Sequence, residues 1–196
     1  MANWCTTRID IQNQGNDLTE LYNTIVSLLD NGDGTESSNL QDLITRSGVA
    51  TFRTGAETDI NCYGIIDEIE FDKDDPIVIM ISVATLYVPN LLPWQMLLDK
   101  YCPEANMLYL AEEPGCRLFH TNDCCYANKW KVDIYDMPDD FPYQPCMDAD
   151  DDYVVKLLQY ILKSDYTNID ALLALFECST EFQGKIYINQ WSYVNY

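Results

Sequence analysis

The stretch Tyr63-Gly64-Ile65-Ile66-Asp67-Glu68-Ile69-Glu70-Phe71, continued by Asp72-Lys73-Asp74-Asp75-Pro76 and then by Ile77-Val78-Ile79-Met80-Ile81-Ser82-Val83-Ala84-Thr85-Leu86-Tyr87-Val88, decides the fold. Its first part sets Glu68 and Glu70 in alternation with Ile69 and Phe71. Period-two alternation predicts a half-buried strand over Tyr63 to Phe71. The last part is apolar nearly throughout, as a strand at the centre of a sheet requires, and predicts a second strand over Ile77 to Val88. The Asp- and Pro-containing residues between them supply the turn of a hairpin. Extending the alternation places Glu68, Glu70, Asp72 and Asp74 as a column of carboxylates on one face.

Working outward, Trp4 to Ile11 alternates Arg8/Asp10 with Ile9/Ile11 and predicts a first strand. Asp17 stands three before Glu20, a capping-box spacing, ahead of Leu18, Leu21, Tyr22, Ile25, Leu28 and Leu29 at helical intervals. Asn31-Gly32-Asp33-Gly34 ends that helix, and a short second helix is expected near Leu40 to Ile44. Pro93 opens a helix over Trp94 to Tyr101. Met107 to Ala111, Arg117 to His120 and Tyr126 to Ile134 read as further strands, and a Pro- and Asp-rich loop covers Asp136 to Asp152. Two helices follow, through Val154, Leu157, Leu158 and Ile161 and over Ile169 to Phe176, and Lys185 to Val194 alternates as a closing strand. The expected class is α+β: a ferredoxin-like antiparallel sheet with helices on one face, extended by an extra hairpin and a C-terminal segment of helices and a strand. The expected division is a domain over 1–135, with 136–196 packed on the same domain.

The chain has 196 residues, with 32 acidic against 11 basic side chains and a net charge of -21, yet it is 47% hydrophobic with 14 Tyr and 4 Trp. That much apolar surface separates it from disordered acidic chains and makes it a folded polyanion. Such a surface repels nucleic acid and anionic lipid and attracts basic proteins. The stretch Met1 to Asp10 lacks an export signal, and the longest apolar run, Ile77 to Val88, falls short of the roughly 20 residues that span a bilayer. The expectation is a cytoplasmic protein whose 8 Cys are buried reduced thiols.

Reaction chemistry finds little footing. Cys116, His120, Cys124 and Cys125 form the one metal-like cluster. With Arg117 to His120 extended, Cys116 and His120 lie about 13 Å apart at roughly 3.3 Å per residue, too far to share a zinc ion or act as a nucleophile pair. At most His120, Cys124 and Cys125 converge, one ligand short. Gly32-Asp33-Gly34 follows a helix instead of opening one, so it is no phosphate loop. Asp148, Asp150, Asp151 and Asp152 lack the spacing of a calcium loop and suit the cap of the following helix. No catalytic residue, metal or cofactor is expected.

Met1-Ala2-Asn3-Trp4-Cys5-Thr6-Thr7-Arg8, leading into the Ile9/Ile11 strand, resembles the opening of YubB-like phage and plasmid accessory proteins. Ala111-Glu112-Glu113-Pro114-Gly115 with Thr121-Asn122-Asp123, and the aromatic strand around Trp130, extend the resemblance over roughly residues 1 to 135. Where those proteins tend to carry a Trp before the proline of the central strand, this chain has Tyr87, and its acidic C-terminal third has no counterpart. The resemblance implies a mobile-element origin and an α+β domain of ferredoxin-like type, and it implies no catalytic residue.

Residues 59 to 75 contain seven acids against Lys73 alone, and residues 132 to 152 contain eight Asp with no Lys or Arg. Alternate strand residues repeat at roughly 6.6 Å, comparable to the phosphate spacing on one strand of nucleic acid. The candidate partner-binding residues are therefore Asp67, Glu68, Glu70, Asp72, Asp74 and Asp75, with Asp139, Asp140, Asp148, Asp150, Asp151 and Asp152. Tyr143, Tyr153, Trp191, Tyr193 and Tyr196 are either binding anchors or core cover. The expected partner is a host nucleic-acid-binding protein with a basic surface, such as a defence nuclease inhibited in anti-CRISPR or anti-restriction fashion, with no direct nucleic-acid or membrane binding. The alternatives are a small-molecule-binding or enzymatic ferredoxin-like domain, and a module whose charge serves only solubility.

Overall fold

The computed structural model describes residues 3–13, 15–31, 37–49 and 62–195. Gly32-Asp33-Gly34 and Tyr196 lie outside them. The chain is mixed α+β, with five helices among the described residues, and forms two compact units, one ending at His120 and the other running Thr121–Asn195.

In the first unit, β1 (Trp4–Gln12), β2 (Gly64–Phe71), β3 (Val78–Leu86), β4 (Asn106–Glu113) and β5 (Leu118–Thr121) stand in the order β2-β3-β1-β4-β5. β3 pairs antiparallel with β2 on one side and β1 on the other, which makes the apolar Ile77 to Val88 segment an internal strand as its composition demands. β1 pairs antiparallel with β4. Alternation decides the faces: Cys5, Thr7, Ile9 and Ile11 of β1 and Ile79, Ile81, Val83 and Thr85 of β3 are buried, while Trp4, Thr6 and Arg8 are exposed.

Helices α1 (Thr19–Leu29), α2 (Leu40–Ser47) and α3 (Leu92–Tyr101) bring Leu21, Ile25, Leu43, Ile44, Trp94, Leu97 and Leu98 into one core with the inward residues of β1 and β3. Full burial of each such side chain is worth about 1.5–3 kcal/mol. The capping of α1 differs from the expected box. The Asp17 carboxylate accepts from the Thr19 backbone N–H at 2.6 Å, and hydrogen bonds from Thr19 hold its carboxyl below the usual range. The short helix expected near Leu40 is two turns long, opened by the Asn39 side chain on Gln41 N and closed by Gly48 in the left-handed region.

The second unit has its own core. β6 (Trp130–Ile134) lies between β7 (Cys146–Ala149) and β8 (Ile186–Gln190), antiparallel to both. α4 (Asp151–Leu162) and α5 (Ile169–Cys178) close the core with Val154, Leu157, Leu158, Ile161 and Leu172, packed with Trp130, Val132 and Ile186. The sequence pattern places β6 in the first domain, ending at 135. The strand instead takes both its partners from residues 146–149 and 186–190, so it belongs with the C-terminal segment. The expected strand from Tyr126 also begins later, because residues 124–128 form a turn in which Asn128 takes φ 62°. β7 lies within the Pro-rich loop, where the sequence pattern gives no strand. The alternating C-terminus is broken at Trp191, which separates β8 from the two-residue β9 (Ser192–Tyr193). Among the described residues, no helix is long and apolar enough to cross a membrane.

Candidate functional site

β2 is the edge of its sheet, and its acidic side chains are displayed there. Near its start the outer edge is partly covered, since Ile66 N–H donates to the Ser38 carbonyl at 2.6 Å and Asn39 bridges Ile65. Beyond that point the pairing register with β3 slips between Ile66 and Glu68, a bulge that leaves Asp67 and Glu68 both exposed. Glu68 sits opposite Ser82, itself opposite Arg8, and Glu70 sits opposite Met80, itself opposite Asp10.

Glu68, Glu70, Met80, Ser82 and Arg8 accordingly line one shallow cleft of about 200 Å³. Arg8 holds Asp10 with two parallel bonds, Nε to Oδ1 at 2.8 Å and Nη2 to Oδ2 at 2.9 Å, and its Nη2 also lies 3.4 Å from the Met80 sulfur. Counting charges along the segment alone leaves these acids without a basic neighbour. The topology brings one from β1, and its signal in the sequence is an outward-facing Arg on a strand two places away.

The four-carboxylate column does not form as a strand feature. β2 ends at Phe71, whose ring stacks on Tyr22 at 4.5 Å between centroids. Asp72 then turns its carboxylate back to accept from Asp74 N–H at 2.8 Å, and Asp75 C=O accepts from Ile77 N–H at 2.9 Å. These local bonds compete with strand extension, as Asp commonly does in turns. Glu68 and Glu70 therefore share the strand face, while Asp72, Asp74 and Asp75 ride on the turn. Asp67, Glu68, Glu70, Asp72, Asp74 and Asp75 are all exposed.

The second acidic run belongs to the other unit and is partly structural. Asp150 is the N-cap of α4, accepting from Tyr153 N–H at 2.8 Å, and Asp151 accepts from the Trp130 indole N–H at 2.7 Å. With Asp152 they place negative charge at the positive end of the helix, as the sequence suggested. Asp148 lies on β7 with the Cys146 thiol 3.4 Å from its carboxylate, and Asp139 and Asp140 sit on an exposed turn.

The aromatic candidates divide. Trp191 is buried and donates its indole N–H to the Met147 carbonyl at 2.8 Å, so it is core. Tyr143 packs edge-on against Tyr153 at 5.6 Å and near Tyr160 and Phe141, whereas Tyr193 is exposed. A cavity of about 510 Å³, lined by Met137, Phe141, Tyr160, Ile161 and Phe182 with Asp140, Lys163 and Glu181 among its walls, opens beside that cluster.

All eight cysteines are free thiols, but the expected burial holds only for Cys5 and Cys62, while Cys116, Cys124, Cys125 and Cys178 are exposed. Burial pushes Cys5 up and Cys62 up to about 11, so both are inert as nucleophiles at neutral pH. Cys116 closes a short 3-10 turn (Pro114–Cys116) instead of entering β5. Its N–H donates to the Glu113 carboxylate, and the Asn3 amide lies 3.6 Å from its sulfur. His120 is half-buried, and burial lowers its imidazole pKa. No family model matches the chain, and no curated protein or solved structure does either.

Proposed function

We propose that this chain is a non-enzymatic protein-binding module, of mobile-element origin, whose acidic β2 edge occupies the nucleic-acid site of a basic host protein in the cytosol. The observation that carries this reading is the set of six exposed carboxylates, Asp67, Glu68, Glu70, Asp72, Asp74 and Asp75, on one edge strand and its turn. An exposed strand edge with anionic side chains attracts basic surfaces over a Debye length of about 10 Å at 0.1 M salt, and its six carboxylates outnumber the nearby cations Arg8 and Lys73, which disfavours binding to phosphates. The order β2-β3-β1-β4, with each neighbouring pair antiparallel and helices in both crossovers, supports a ferredoxin-like scaffold for the first unit. The resemblance of the N-terminal segment to YubB-like phage and plasmid proteins supports a host defence nuclease as the class of target.

A competition experiment tests the reading. A host protein captured on the immobilised chain should be released by added DNA or RNA and should lose its own nucleic-acid binding when the chain is present. Simultaneous binding of chain and nucleic acid by the captured protein would rule out a shared site. One observation favours the small-molecule alternative: the aromatic cavity in the second unit falls in the size range of ligand pockets.

A further inference from the structure

We propose that the turn Asp123-Cys124-Cys125 binds a thiophilic d10 divalent cation, zinc or its heavier congener cadmium, through the Asp123 carboxylate and the two thiolates. Among the described residues, this is the one place where three such donor atoms all lie within 4.8 Å of one another. In a tetrahedral centre with metal–sulfur bonds of about 2.3 Å, ligand atoms are roughly 3.5–3.8 Å apart, so closure needs side-chain rotation and little backbone movement.

The turn is organised around Asp123. Its N–H donates to Thr121 Oγ1 at 2.9 Å, its Oδ1 accepts from Cys125 N–H at 2.8 Å, and its carbonyl accepts from Tyr126 and Ala127 N–H, each at 3.1 Å. One carboxylate oxygen is thereby fixed, and the second can be offered to a cation. His120, the third ligand the sequence suggested, is not needed for this set. Asp123 supplies that ligand.

Electrostatics favour a cation at this point. A divalent cation among one carboxylate and two thiolates offsets their charge. Both thiols are exposed, so entry requires no opening of the core. On binding, each S–H bond is replaced by an S–metal bond, two protons pass to solvent, the carboxylate donates a lone pair, and water completes the coordination. No electron is transferred.

The test is titration of the reduced, full-length chain with cadmium chloride, following thiolate-to-cadmium ultraviolet absorption and bound metal by equilibrium dialysis. The expected result is one cadmium ion per chain, unchanged in a Cys116→Ser/Cys178→Ser variant that lacks the other two exposed thiols. Cys124→Ser and Cys125→Ser should each weaken binding about 100-fold, and Asp123→Asn about 10-fold, judged against the 10–100-fold loss when partners of metal ligands are removed. Asn retains an oxygen for Cys125 N–H, so that variant keeps the turn. Absence of stoichiometric uptake by the wild-type chain, or wild-type affinity in a Cys124→Ser/Cys125→Ser variant, would overturn the site.

Discussion

Asp150 illustrates how an acid in this chain is spent on structure instead of on a partner. Its carboxylate satisfies a backbone N–H that the first turn of α4 leaves open. Asp150→Ala should lower stability by about 1 kcal/mol in urea denaturation, while Asp150→Asn, also a good cap, should be nearly neutral. Equal losses for the two would mean that charge, not capping, is what matters there. His120 makes a prediction about pH. Its folded pKa lies below the ordinary 6.5, so the unfolded chain binds the proton more readily. The stability it contributes is therefore full above about pH 6.5 and is lost below it, as pH falls through the lower folded pKa. Between pH ~7.5 and ~5.5 the wild-type chain should lose more stability than His120→Gln. A difference between the two that stays constant across that range would contradict it.

Among the elements, β3 carries the clearest signal and the heaviest packing. Ile81 is 1% exposed at its centre, and Ile81→Ala should cost about 2–5 kcal/mol by thermal or chemical denaturation. A loss below about 1 kcal/mol would place that residue outside the core. β1, β2, β3 and α1 were legible because an uninterrupted apolar pattern there agrees with the tertiary burial. The acidic column was not legible, because alternation continues through Asp72 and Asp74 while the Asx turn at Asp72 has already ended the strand. β7 was hidden by Pro142 and Pro145 beside it and by its length of four residues, and only pairing with β6 makes it a strand. At the other end, Trp191 continues the alternation in sequence but breaks the strand in space, its indole reaching the Met147 carbonyl. Local pattern reports which side chains seek burial, whereas strand ends depend on which backbone groups find partners.

The molecule as a unit is a polyanion with two cores, and its candidate partner-binding acids fall into two sets on different units. The set on β2 and its turn consists of exposed carboxylates, with Arg8 arriving beside Glu68 and Glu70 from β1, two strands away. The set around α4 is partly used in capping and in holding the Trp130 indole. The proposed docking function therefore rests on the first. The decisive experiment is the salt dependence of partner affinity for a Glu68→Gln, Glu70→Gln, Asp72→Asn, Asp74→Asn variant against the wild-type chain. Exposed replacements of this kind usually change stability by no more than about 0.5 kcal/mol each, and the Asp72→Asn replacement keeps an acceptor oxygen for the turn, so folding should persist. The account predicts weaker binding, slower association and a shallower salt slope in the variant. Unchanged affinity with an unchanged salt slope would contradict it and leave these carboxylates as a coat that maintains solubility.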